Sequence, residues 1–515
     1  APLRKNLDCR VCRSSALYKP FGVWHGLEKI RADMGGVLFG AVCRFCGSLP
    51  LFYKMKFDAL GFISELVRFK SVSADSSKKS ETRACAEFLD STLRGLGFDS
   101  RLLETGGNPV VFARKNCASK NPKARVLCYG HYDVQPAEPL EKWKTPPFEP
   151  TVMDGKIWGR GTADNKGPFT CLLAGLVNFL SSKPDADIDF GIAIEGEEEI
   201  GSGGISRLVR ESPELFSGYD YIVLSDTSSV SETQTAVTIG LRGMGGFEAV
   251  FKGPDTDVHS GMFGGAVYNP LRAMFEVCAS LHTPDGFVNV PEFYEDLPKL
   301  SDWEKSQIAK YPFTEDALKS QLGVDKLMEQ KGYTVAEAMR VLPTLEFSGV
   351  GGGYQGEGAK SIIPSECFCK ISCRTVPGQD TERALASVKN AMLDRCPKGI
   401  KLSFIDNDSS GNAYFVDPKE EVSGASSPRQ IRLSKAFAAV DKCAEKCFGE
   451  APLYLREGAS IPLISTIKQC TGLDCIMVGL FSPSDNLHAP NEGFSLSTIK
   501  KGVLYYEEFF SEISK

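Results

Sequence analysis

At 515 residues the chain is longer than one hydrophobic core usually supports, so two domains are expected. Its net charge of −6 gives no general attraction to nucleic acid or to an anionic membrane, and no run of 18 apolar residues is present to span one. Seventeen cysteines, an odd count without compact spacing, lie mostly singly in apolar stretches, as at Cys128, Cys171 and Cys278. They read as free thiols of a reducing compartment, the cytoplasm, and not as a disulfide framework.

Residues 1–54 stand apart, with nine Lys/Arg against three Asp/Glu. Cys9-x-x-Cys12 and Cys43-x-x-Cys46 superficially resemble a zinc ribbon, but the gap between them is longer than a ribbon uses. A basic transit segment, a displaced start and a small zinc module all fit this stretch, so its role and any organelle targeting stay open. Regular patterning begins at Phe57. Phe57, Leu60, Ile63, Leu66 and Val67 recur at helical spacing, and a second helix carrying Phe88, Leu89 and Leu93 stops at Gly95 and Gly97. Strand-like runs at 109–113 and 125–129, a helix over 169–180, and strands at 188–194 and 221–225 predict an α/β sheet flanked by helices. From Thr238 the character changes to strand alternation, a long helix over 270–281 and a charged helical insertion over 303–341. An amphipathic helix from Ser427 resumes the first pattern. The middle segment therefore reads as a second domain inserted into the first.

The chemistry-bearing residues follow the apolar runs, where ligand groups gather in such sheets. Leu127-Cys128-Tyr129-Gly130-His131-Tyr132-Asp133 puts an imidazole at a strand mouth, with Asp133 able to accept its second ring N–H. Taken alone, a hydrogen-bonded structural histidine explains His131 as well. Gly159-Arg160-Gly161-Thr162-Ala163-Asp164-Asn165 holds a carboxylate in an irregular turn; a helix N-cap from Asp164 or Asn165 is the plainer reading. Glu195-Gly196-Glu197-Glu198-Glu199 packs four carboxylates into five residues, where repulsion would raise their pKa values unless cations were present. Asp226 ends another apolar run, and Asp485-Asn486-Leu487-His488-Ala489-Pro490-Asn491-Glu492 supplies a second imidazole. Together, two imidazoles and several carboxylates suit a pair of divalent ions, Zn(II) or Mn(II), with one carboxylate bridging. Gly353-Tyr354-Gln355-Gly356-Glu357-Gly358-Ala359-Lys360-Ser361 is a near miss to a P-loop. Ala359 stands where Gly must precede Lys, and Cys367, Cys369, Ile371 and Cys373 then alternate as a strand does.

From about Met55 to Lys515 these motifs, in this order, resemble the acetylornithine deacetylase, aminoacylase and dipeptidase family of co-catalytic metallohydrolases, and within it the carnosinase and cytosolic non-specific dipeptidase branch. The resemblance implies a zinc-peptidase-like mixed-sheet catalytic domain (55–237 and 421–515) interrupted by an α+β lid and dimerisation domain (238–420). It assigns His131 and Asp226 to one ion, Glu199 and His488 to the other, and Asp164 to both, with a cis peptide bond from Asp164 to Asn165. Glu198 becomes the general base and Asp133 the residue orienting His131. His259, in Asp257-Val258-His259-Ser260-Gly261, would reach a neighbouring subunit's site in a homodimer and stabilise the oxyanion. Arg374 would clamp the substrate's terminal carboxylate, a bidentate task suited to a guanidinium, with Ser361 and Ser460 as substrate-contacting hydroxyls. Ser361 replaces the Thr usual in animal members. Gly411-Asn412-Ala413-Tyr414 lacks the substrate-site histidine of those members, so side-chain preference does not carry over. The implied activity is hydrolysis of dipeptides with a free C-terminal carboxylate by metal-activated water. An N-acyl amino acid deacylase is the alternative, and a non-catalytic binding protein keeping the fold is the alternative of another class.

Overall fold

The computed structural model describes residues 56–515 apart from 296, 298, 408–409 and 420–426. The extension 1–54, with its two Cys-x-x-Cys pairs, lies outside the described residues. The first helix, Ala59–Arg68, begins where the Asp58 carboxylate accepts the Gly61 N–H, and it turns Phe62, Ile63, Leu66 and Val67 into the main core. Helix Lys166–Ser182 is buried around most of its circumference, as its nearly unbroken apolar sequence requires. Gly175 lets helix Leu496–Ile513 close on it: a Cβ there would stand 2.4 Å from the Tyr506 Cβ.

The main sheet is mixed. Strands Ile188–Glu195, Ala124–His131, Tyr221–Leu224 and Asp474–Val478 lie side by side and parallel, and are buried almost throughout. Burial on both faces explains why they read as continuous apolar runs. Antiparallel strands Val110–Lys115 and Asp99–Leu103 extend one side; Ala236–Leu241, with Tyr414–Phe415 and Leu453–Glu457, extends the other. His131 and Glu195 are register partners, so the parallel strands deliver their chemistry-bearing ends to one edge of the sheet.

At Arg242 the chain passes from strand Ala236–Leu241 into Gly243–Lys252, which belongs to a separate four-stranded antiparallel sheet. In that sheet the order is Thr344–Gly352, Glu366–Thr375, Gly243–Lys252, Lys401–Asp406. Phe247, Ala249, Phe251, Cys369, Ile371 and Cys373 meet Ala273, Met274, Val277, Leu385, Val388 and Met392 of helices Pro270–Ser280 and Thr381–Arg395 in a core of their own. A strand, not a helix, follows Ser361, as the alternation of Cys367, Cys369, Ile371 and Cys373 requires. The architecture is therefore α/β, a mixed-sheet domain interrupted by an α+β one.

Two further connections bear on the site. The insertion folds as helices Asp302–Lys310, Glu315–Leu322 and Val335–Val341, and the first packs back on the main sheet. There Arg456 and Glu304 form a buried ion pair at 2.6 Å, and Gln307 accepts the Tyr454 N–H at 3.2 Å on an edge strand. A small sheet, Thr151–Met153, Lys156–Trp158 and Gly493–Ser495, pairs Gly493 with Trp158 and so returns the C-terminal segment to the Asp164 turn. Among the described residues no helix is long and apolar enough to cross a membrane.

Candidate metal centre

Two constellations of potential ligands share one residue. His131, Asp164 and Asp226 form one, and Asp164, Glu199 and His488 the other; within each, one donor atom per residue lies within 4.8 Å of the rest. Asp164 faces both ways. Its Oδ1 is 3.1 Å from His131 Nε2, and its Oδ2 is 2.9 Å from His488 Nε2. Asp226 lies 3.6 Å from His131 Nε2 and Glu199 3.2 Å from His488 Nε2. The Asp164–Asn165 peptide bond is cis. Asn165 is the N-cap of helix Lys166–Ser182, but its side chain does not cap; it donates to the Ser225 carbonyl and to Asp226 Oδ1 at 2.8 Å. The cap reading of this turn thus describes its backbone alone.

Neighbours fix each donor. His131 Nδ1 lies 3.1 Å from the Asp133 backbone carbonyl and 3.4 Å from its carboxylate. With Nδ1–H donated there, Nε2 keeps its lone pair for the shared space. The buried Asp133 carboxylate accepts the backbone N–H groups of Glu198 and Glu199, both at 3.2 Å, so it seats the acidic turn as much as the imidazole. Gln135 Nε2 donates to Glu199 Oε2 at 2.8 Å. Lys156 binds the buried Asp485 at 2.7 Å, anchoring the turn before His488, which is half-exposed and adopts φ 58°.

Electrostatics identify what the space would accept. Asp164, Glu198, Glu199 and Asp226 together carry a formal −4 when ionised, a charge that two divalent cations would balance. Without cations, burial pushes Asp226 up to about 7, and pushes Glu198 well above the ordinary carboxylate range with Asp226 and Glu199 reinforcing it against His131. Asp164 goes the other way: burial opposes ionisation, but hydrogen bonds from His131 and His488 hold it below that range. His488 is drawn up to about 10 by Asp164 and Glu199. The mixed imidazole and carboxylate donor set therefore fits a pair of divalent ions.

The remaining site residues form two further groups. Arg374, on strand Glu366–Thr375, donates to Ser460 Oγ at 2.8 Å. Arg242 stands near them; burial, then repulsion from Arg374, lowers it to about 10. His259 and Ser361 are neighbours, since His259 pairs with Ile362 and the Ser260 N–H reaches the Ser361 carbonyl at 3.0 Å. The His259 side chain is exposed and accepts the Gly261 N–H at 3.0 Å. Among the described residues no hydrogen bond or ion pair joins the His259 or Arg374 group to the metal ligands.

Sequence reasoning missed Glu492, Gln135 and the supporting role of Asn165. Glu492 is fully buried and paired with buried Arg160 at 2.8 Å, an arrangement in which losing one partner costs about 3–5 kcal/mol. Its available signal was a carboxylate four residues after His488 in a segment otherwise rich in Pro and Asn. The model of peptidase family M20/M25/M40 matches residues 127–512. The chain is 29% identical over 481 residues to the Cys-Gly metallodipeptidase dug1 of Schizosaccharomyces pombe, covering 90% of this chain and 96% of that one. It is 27% identical to the human Beta-Ala-His dipeptidase, covering 88% and 86%. The solved structure of the di-peptidase Dug1p of Saccharomyces cerevisiae superposes with a TM-score of 0.73 at 26% identity, covering 88% of this chain and 95% of that one.

Proposed function

We propose that the chain is a two-metal dipeptidase, from the premise that the chain belongs to peptidase family M20/M25/M40 and is a metallopeptidase. The observation that carries the two-metal reading is Asp164, whose two oxygens each face a different imidazole. In this reading His131 and Asp226 would hold one ion, Glu199 and His488 the other, and Asp164 would serve both, with Zn(II) or Mn(II) matching the donors. Such ions, when bound, polarise a carbonyl and lower the pKa of water towards about 7. Glu198 takes the proton of the attacking water and returns it to the leaving amine. Asp133 holds His131 and the Glu198–Glu199 amides in place for this.

The substrate reading rests on the lid. Two relatives act on Cys-Gly and β-Ala-His respectively, so what they share is short length and a terminal carboxylate, not a side chain. Arg374, unpaired with any carboxylate among the described residues, suits that carboxylate, with Ser460 and Ser361 as hydroxyl partners. His259, exposed on the lid, serves as oxyanion donor to a second copy of the chain, which makes the working unit a homodimer. The lid is taken as 238–420 between catalytic parts 55–237 and 421–515, supported by the change of sheet at Arg242. Mostly buried free thiols support a reducing compartment, the cytoplasm.

The test is to strip the protein of ions, reconstitute it with Zn(II) or Mn(II), and assay dipeptides, acetyl-amino acids and C-terminally amidated dipeptides. Dipeptide hydrolysis should depend on added ion, exceed that of acetyl-amino acids, and fall by about one to two orders of magnitude on amidation, the worth of a charged hydrogen bond. Hydrolysis by ion-free protein would overturn the metal reading, and equal rates for acid and amide would overturn the Arg374 clamp.

A further inference from the structure

We infer that Glu492 is a positioning residue for the metal centre: one carboxylate locks the Asp164 turn to the segment that carries His488. This rests on the two-metal reading above. Four donors converge on it from the turn that ends in Asp164. Glu492 Oε1 accepts the N–H groups of Ala163 at 2.8 Å and of Asp164 itself at 3.0 Å. Its Oε2 accepts Arg160 Nη1 at 2.8 Å and the Gly161 N–H at 2.9 Å. The Gly159 N–H adds a bond to the Glu492 backbone carbonyl at 3.0 Å.

On the other side, Glu492 belongs to a segment that is itself tied down. Asn486 Nδ2 donates to the Asn491 carbonyl at 3.0 Å, spanning His488. Asn491 accepts the Lys144 N–H at 2.7 Å and donates to the Lys142 carbonyl at 2.9 Å. Asp164 and His488 are 324 residues apart, yet they must present donors about 3 Å from each other. The Glu492 side chain bonds the second stretch directly to the turn that ends in Asp164. Charge neutralisation of Arg160 would need one contact. Three backbone N–H groups around the bridging residue's own turn fix its orientation, which is what a shared ligand requires.

A glutamine is nearly isosteric but has a single acceptor oxygen. Whichever way it turns, its NH₂ would face one pair of donors, Ala163 and Asp164 or Arg160 and Gly161. The experiment uses the full chain, stripped of ions, titrated calorimetrically with Zn(II) or Mn(II) alone, alongside the unfolding temperature of the ion-free form. In Glu492→Gln, affinity for at least one ion should fall by about 10–100-fold, the usual effect of losing support to a ligand. Wild-type affinity for both ions combined with a lower unfolding temperature would make Glu492 a structural ion-pair partner only and overturn the inference. Should Glu492→Gln fail to fold, Arg160→Gln removes one of the four donors; it should weaken ion binding in the same direction but less, and unchanged affinity there would overturn the inference. If the wild-type protein binds no divalent ion, the two-metal reading itself falls, and this inference with it. If the wild-type and variant proteins bind two ions equally well, only the inference falls.

Discussion

In the metal cradle every proposed ligand already faces another within the same chain, whereas the His259 side chain, on the two-stranded ribbon it forms with Ile362, hydrogen-bonds only the Gly261 N–H among the described residues. The cradle's donors are held by neighbouring side chains: Asp133 under the acidic turn, Gln135 on Glu199, Asn165 on Asp226, Glu492 on the Asp164 turn. Preorganisation of that kind suits groups whose geometry must not change between turnovers. His259 and Ser361, by contrast, sit on or beside a two-stranded antiparallel ribbon and are exposed. They suit groups that meet the substrate by closure or from another copy.

The sharpest way to break this contrast is at Glu198. Glu198→Gln should lower kcat by about 10²–10⁴ while leaving the ions bound, as loss of a positioned proton carrier does. Full turnover with ions present would remove Glu198 from the chemistry. The next effect is at His259: His259→Ala should lower kcat by about 10²–10³. Mixing that variant with Glu198→Gln then asks where His259 acts. If it acts between copies, a mixed dimer has one site with both Glu198 and His259 intact, and activity returns; if it acts within its own chain, the mixture stays inactive.

The smallest effect concerns the empty cradle and pH. Asp226, raised from 3.8 to about 7 by burial, and His488, raised from 6.5 to about 10 by Asp164 and Glu199, both hold protons more tightly in the folded chain. Their contribution is present in full below the unfolded values and is lost as pH rises, through about 7 for Asp226 and about 10 for His488. Asp164 has the opposite sign, with its contribution lost as pH falls below 3.8. The ion-free protein should therefore lose stability from pH 5 to 9, by at most about 1.4 kcal/mol per pH unit for the buried Asp226. Divalent ions replace those protons, so the gap in unfolding temperature between loaded and ion-free protein should widen with pH. A gap that stays constant would show that the cradle does not titrate.

Much of the cradle was legible because strand ends are legible. His131 ends, and Asp226 follows, a short apolar run of the kind a doubly covered strand produces, and the acidic turn follows another. Asp133 was legible as a partner of His131, but its larger task, accepting two amides across 65 and 66 residues, depends on a return of the chain that no local pattern encodes. The same holds for Glu492 and Arg160, 332 apart. The helical insertion looked like part of the inserted domain from its position in the chain. Its packing against strand Leu453–Glu457 came from the buried Arg456–Glu304 pair, whose members give no sign of each other in sequence.

The pairing of Gly493 with Trp158 also sets an order of events during synthesis. A growing chain that has emerged only as far as helix Pro462–Thr471 owns His131, Asp164, Glu199 and Asp226, but neither His488 nor Glu492. It has a crowd of carboxylates and one imidazole, with nothing to close the Asp164 turn. Loop closure over hundreds of residues comes late because its entropy must be met before the contacts reward it. On the proposed assignment of His488 to the second ion, capture of that ion would report that the C-terminal segment has docked, and prematurely terminated chains would be unable to fill the centre.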